Sequence, residues 1–232
     1  MSRLLLGLAL LPSSASVLAA AARCFGPLLG HGPRSAWFLG GLAAYPVLHL
    51  FALRPTRVYV VGHELTHAFA AVLSGAQVKK FQVGTEGGHV EVTAVNPFIA
   101  LAPYCVPFYT LLWIAAYKVW GLLGGAGRHD AVFAAGMGLT LSFHLWYTVS
   151  TLVGAKQPDL EKAGGVVFSL ALIALANGLL VALTLRGLFP AAVSLRAFAR
   201  GSWTGTASFW LFARDAARAA WEAVRAGPAR PA

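Results

Sequence analysis

The sequence predicts an all-α polytopic membrane protein of about six transmembrane helices, with a small β-hairpin between the third and the fourth. Three observations carry that expectation. Hydrophobic residues make up 58% of the 232 and charged residues only 11%, and mean hydropathy is +0.68, too apolar for an ordinary water-soluble domain. Apolar stretches near the roughly 20 residues needed to cross about 30 Å of hydrocarbon recur along the chain, separated by short segments rich in Gly, Pro and charge. Between two of them the apolar period changes from helical to alternating.

The first expected span is residues 3–23, "RLLLGLALLPSSASVLAAAAR". Arg3, a short leucine core and an alanine run also suit a signal peptide, so retention and cleavage are both open at this point. The next five are residues 36–53, 56–75, 97–120, 131–153 and 164–189. Six spans put both termini on one side, and the basic tail with Arg54, Arg57 and Arg128 makes that side cytoplasmic. The opposing loops hold Arg34, Lys79, Lys80, Lys156 and Lys162, so the tail carries more of this argument than the loops.

Residues 77–95 read as the hairpin. Val78, Phe81 and Val83, then Val90, Val92 and Val95, alternate with polar residues around the turn "GTEGG". An open strand edge facing lipid would leave backbone groups unpaired, so the hairpin belongs in protein, water or a hydrated cavity.

Residues 1–190 form the transmembrane unit and 191–232 a basic cytoplasmic tail. Within the tail, residues 203–226 can be drawn as an amphipathic helix on the membrane surface, with Arg214, Arg218 and Arg225 on one stripe and Phe209, Phe212, Ala216 and Ala220 on another. A partly disordered basic tail is the alternative. The net charge of +10 would suggest nucleic acid in a soluble protein. Here seven of the eighteen Lys and Arg residues lie at or beyond Arg186, which points to an anionic bilayer as partner and to no nucleic acid. Arg and Ala outnumber Lys and Ile, a bias that suits a high-GC bacterium and its inner membrane. Cys24 and Cys105 are far apart and lack a CxxC partner, so they read as small buried hydrophobes.

The third span contains "VVGHELTHAFAAV", residues 60–72. Ionisable side chains at that depth are costly unless paired, solvated or bound to metal, which makes them a functional-site hypothesis by default. On a helix, His63 and His67 project about 40° apart, one turn above the other, so both imidazoles can bind one ion. Glu64 stands beside the first ligand and can reach an activated water without being a ligand itself, as a general base must. The pattern is HExxH, and the chemistry it points to is metal-assisted hydrolysis with Zn2+ as cofactor.

A hydrolytic zinc site takes three protein ligands and an open position. Two residues compete for the third place. His144 lies about 13 residues, or roughly 20 Å, into its span, close to the depth of about 17 Å expected for His67. Asp159 follows Pro158, a residue suited to the first turn of a helix, and a re-entrant start to the last span would bring it to the metal.

With these residues the chain resembles the site-2-protease-type (M50) intramembrane zinc metalloproteases, in a short form without a PDZ domain. The resemblance rests on "HELTHAFAAVLSG", the hairpin "VGTEGGHVEV", "NPFIALAPYCVP" and a later Asp before a glycine pair, and covers residues 56–185. It implies His63, His67 and Asp159 as ligands, Glu64 as the base that activates water, a membrane protein as substrate, and a β element that aligns the unwound substrate. One departure is that the family's Asp is followed directly by Gly, whereas this chain has "PDLEKAGG", which keeps His144 open as a ligand. His89, Glu91, Asn96 and Pro97 read as surface, loop and helix-start residues. Two rival readings use the same histidines without hydrolysis: a metal-binding membrane transporter or carrier, and an inactive protease relative acting as a membrane binding partner. Glu64 argues against both, since neither needs a base beside the ligands.

Overall fold

The computed structural model describes residues 2–51, 54–84, 87–124, 130–154 and 157–226. Arg128 and Lys156, used above to orient the loops, and the hairpin tip at Thr85 and Glu86 lie outside the described residues. The chain forms nine α-helices among the described residues, α1 (Ser2–Arg23), α2 (Pro33–Phe51), α3 (Thr56–Leu73), α4 (Pro97–Cys105), α5 (Phe108–Leu122), α6 (Asp130–Gly154), α7 (Pro158–Ala163), α8 (Val166–Leu188) and α9 (Leu195–Ala226). Between α3 and α4 lie β1 (Val78–Val83) and β2 (Gly88–Val92).

The hairpin falls where the alternation predicted it. The strands pair antiparallel with Phe81 opposite Val90 and Val83 opposite Gly88, and a bulge between Val78 and Lys80 shifts the register. With only two strands in the sheet, β2 keeps one edge unpaired by β1.

Among the described residues, three helices are long and apolar enough to span a membrane: α1 with the short turn that follows it, α6 and α8. A fourth span results if α4 and α5, bent by 66°, count as one. Large apolar side chains stand exposed along these helices, among them Leu5, Leu111, Val149 and Leu183, as hydrocarbon surroundings favour.

Six alternating spans are not what the helices form. In such an arrangement the first and sixth segments, and the second and fifth, would run antiparallel. Instead α1 and α8 are parallel, since Gly7 abuts the backbone of Phe168 and Val17 abuts Gly178. Likewise α2 and α6 are parallel: Gly41 meets Ala135, the Tyr45 and Phe143 rings are 5.0 Å apart, and the His49 and Trp146 rings are also 5.0 Å apart. Helix α5 runs antiparallel to α6, with Tyr109 beside Phe143 and the Trp113 indole donating to the Phe133 carbonyl. Both α2 and α3 fall short of the span-capable helices, and α3 is the helix whose place breaks the alternation. Its charged and imidazole side chains keep it below the apolarity of a span, and it returns the chain to the end of the bundle where α8 begins.

Helix α9 runs back antiparallel along α1, with Gly201 against Ala20 and Arg23, and Gly205 against Ser16. The first half of the segment expected on the membrane surface thus packs lengthwise on a span-capable helix. The main apolar core sits at the other end of the bundle from α7, around Leu28, Phe38, Leu141, Leu185 and Phe189.

Two local breaks prepare the site. Asn96 caps α4 by accepting from the Ile99 amide at 2.8 Å, and Pro97 occupies the first helical turn. Pro107 then holds Val106 extended and ends α4. At the other break, Gly164 and Gly165 take φ values of +125° and +104°, which side chains rarely tolerate. They turn the chain from α7 into α8, while Arg3 donates to the Ala163 carbonyl at 3.0 Å.

Candidate metal centre

His63 and His67 face α7 from one side of α3, as their spacing requires. Their Nε2 atoms lie 3.6 and 3.4 Å from the same oxygen, Oδ2 of Asp159, and one ligand atom from each of the three residues falls within 4.8 Å of the others. Bond lengths of about 2.0–2.2 Å to a tetrahedral ion imply ligand separations of roughly 3.3–3.6 Å. The spacing around Asp159 Oδ2 fits an ion of that size.

The outer nitrogens have partners that fix the rings. His67 Nδ1 lies 2.8 Å from the Ile99 carbonyl. A carbonyl only accepts, so Nδ1 carries the hydrogen and, in the neutral ring, Nε2 presents a lone pair toward Asp159. That carbonyl is free because its helical donor would be residue 103, and Pro103 has no N–H. His63 Nδ1 lies 3.1 Å from the Tyr59 hydroxyl, which accepts from Thr151 at 3.1 Å. Metal-bound histidines are held by outer partners of this kind.

Asp159 is brought to the histidines by α7, whose first residue is Pro158. Burial disfavours its charged form, but His63 and His67 outweigh burial and hold the carboxyl well below the usual range. The Lys162 ammonium is 3.6 Å from the other carboxylate oxygen, Oδ1.

Glu64 is buried and lines, with the three candidate ligands, a cavity of about 250 Å3. Strand β2 closes one wall with Gly88, His89, Val90 and Val92, and Lys162 stands at another. Gly88 rests directly on Glu64: a Cβ there would meet the glutamate Cγ and carboxyl group. His89 and Glu91 are exposed and 3.7 Å apart.

His144 lies elsewhere. It is buried in α6, and its Nε2 is 3.1 Å from Asn177 Oδ1 on α8, outside the cluster formed by His63, His67 and Asp159. An amide oxygen accepts, so His144 Nε2 carries the hydrogen and is engaged by Asn177.

Four contributors escaped the reading of the sequence: Tyr59, Pro103, Tyr104 and Gly88. Pro103 had a readable signal, since a proline inside a helix frees the carbonyl four residues earlier. Tyr59 stands four residues before His63 on one helix, a readable spacing; for Gly88 and Tyr104, partners distant in sequence decide the role. Compared with known proteins, the chain matches no family model, no curated protein and no solved structure, so any function must be argued from the residues of this centre.

Proposed function

We propose that the chain is an intramembrane zinc metallopeptidase of the site-2-protease type, hydrolysing peptide bonds in membrane-associated proteins. The observation that carries the reading is the convergence of His63, His67 and Asp159 beside a buried Glu64, in a cavity walled by a strand with a free edge. The donor set, two imidazoles and one carboxylate, is that of a hydrolytic zinc site.

His63, His67 and Asp159 would hold the ion. When bound, zinc supplies the Lewis acidity that lowers the pKa of a water and polarises a peptide carbonyl. Glu64 would take a proton from the attacking water and pass it to the leaving amine. Its placement under Gly88 limits the directions its carboxylate can take. A helical substrate hides its carbonyls in its own hydrogen bonds and must unwind to be cut. Strand β2 offers an extended segment a row of backbone partners along the cavity wall, with Val90 and Val92 beside it.

The test is Glu64→Gln, purified in detergent with its zinc content measured and presented with a candidate membrane substrate. The expected result is retained zinc and cleavage lowered by at least 100-fold, on the order of what general-base catalysis contributes. Unchanged processing would overturn the protease reading.

A further inference from the structure

Asp159 sits on a helix of six residues, a small base for a ligand that must point at one place. The group that aims it lies across the interface on α4. Tyr104 is fully buried, and its hydroxyl donates toward Asp159 Oδ2 at 3.3 Å and Gln157 Oε1 at 3.1 Å. Its ring stands edge-on to His63, with centroids 5.3 Å apart. Tyr104 does not line the cavity, so it meets neither water nor substrate there.

Its position is set by the break in α4. The amide of Phe108 turns to the Val106 carbonyl, which leaves the Tyr104 carbonyl without its helical donor. Asn177 Nδ2 takes that carbonyl at 2.7 Å and also donates to Ile173 O at 2.8 Å, while Asn177 Oδ1 is held by His144. A chain of buried polar contacts thus runs from α6 through α8 and α4 to the carboxylate. Lys162 holds Oδ1 from the opposite side, leaving Oδ2 to face the histidines.

We propose that Tyr104 is a positioning residue of the metal centre, its hydroxyl aiming Asp159 Oδ2 at His63 and His67, with the Asn177–His144 pair setting its place. The inference rests on the metal-centre reading above. Removing an outer partner of a metal ligand lowers metal affinity by about 10–100-fold.

The test uses the full chain in detergent. Zinc affinity is measured by chelator competition, Co2+ serves as an optical probe, and thermal unfolding is followed on metal-free protein. Tyr104→Phe is expected to weaken zinc by about 10–100-fold and to move the Co2+ absorption bands, while the metal-free protein keeps a cooperative unfolding transition lowered only by the lost hydroxyl contacts. Asp159→Ala keeps His63 and His67 and with them a weak residual affinity, read by titration with excess Co2+; in that background the same substitution is expected to cost nothing further, since Tyr104 acts through Asp159. Native affinity and spectrum in Tyr104→Phe, or an equal loss in both backgrounds, would overturn the inference while leaving the metal centre standing. A native chain that binds neither ion would remove the centre and this inference together.

Discussion

With its ring neutral, His67 would aim an electron pair at the Asp159 carboxylate over 3.4 Å, an arrangement that needs a proton or a cation between them. His63 adds a third such atom, and a cation satisfies all three at once. Asp159→Ala is therefore expected to abolish stoichiometric zinc, measured on purified protein, whereas His144→Ala keeps it. The His144 variant instead leaves Asn177 Oδ1 without its buried donor, at a cost of about 1–3 kcal/mol in stability; zinc loss in His144→Ala alone would reverse the assignment. Gly88→Ala tests the base rather than the ligands. A methyl at Gly88 displaces the Glu64 side chain, so turnover falls while zinc content stays native. The candidate ligand pair and the candidate base were legible in the sequence because HExxH is a local pattern on one helix. The third candidate was legible only as a choice between Asp159 and His144. Comparing the depths of His144 and His67 assumed that α3 enters the membrane as a span, and that assumption favoured His144, whereas the residue grouped with His63 and His67 is Asp159.

Helix α4 links chain chemistry to the centre through its prolines. Pro103 cannot donate to Ile99, so the Ile99 carbonyl is available to orient His67; Pro107 ends the helix and frees the Tyr104 carbonyl for Asn177. A helix made regular at this point would be more stable and a poorer support. Pro103→Ala restores an N–H that competes with His67 for the carbonyl. It is expected to raise the unfolding free energy of metal-free protein by up to about 3 kcal/mol and to weaken zinc at least tenfold, a trade measured by paired unfolding and chelator-competition experiments. Stabilisation without loss of zinc affinity would mean that the carbonyl does not orient the ring. The hairpin, by contrast, was readable as an element because alternation and a Gly-rich turn are local signals. That its second strand would lie over Glu64 was not readable, since the placement depends on α3 and α4 folding back on each other around Ala70, Ala71, Ile99 and Ala102.

At the scale of the whole chain, helix direction decides which parts share a side. Apolar runs report length and hydropathy, and alternation was assumed from them; the parallel pairs α1–α8 and α2–α6 remove that assumption. If α1, α2, the bent α4–α5 pair, α6 and α8 cross while α3 returns, then Ser2, the hairpin and α7 lie on one side of the membrane, with the segments after α1 and α8 on the other. Helix α9, running back along α1, brings its far end to the side of Ser2. Strict alternation instead places the hairpin opposite Ser2 and the segment after α8 with it. Single cysteines at Ser2, Lys80, Leu29 and Ala191, introduced with Cys24 and Cys105 replaced by serine, separate the two arrangements by labelling with a membrane-impermeant thiol reagent in sealed vesicles. Ser2 and Lys80 are expected to react from one side, Leu29 and Ala191 from the other. Reaction of Lys80 and Ser2 from opposite sides would mean that α3 crosses, and the metal centre would then have to be reached from the side opposite Ser2.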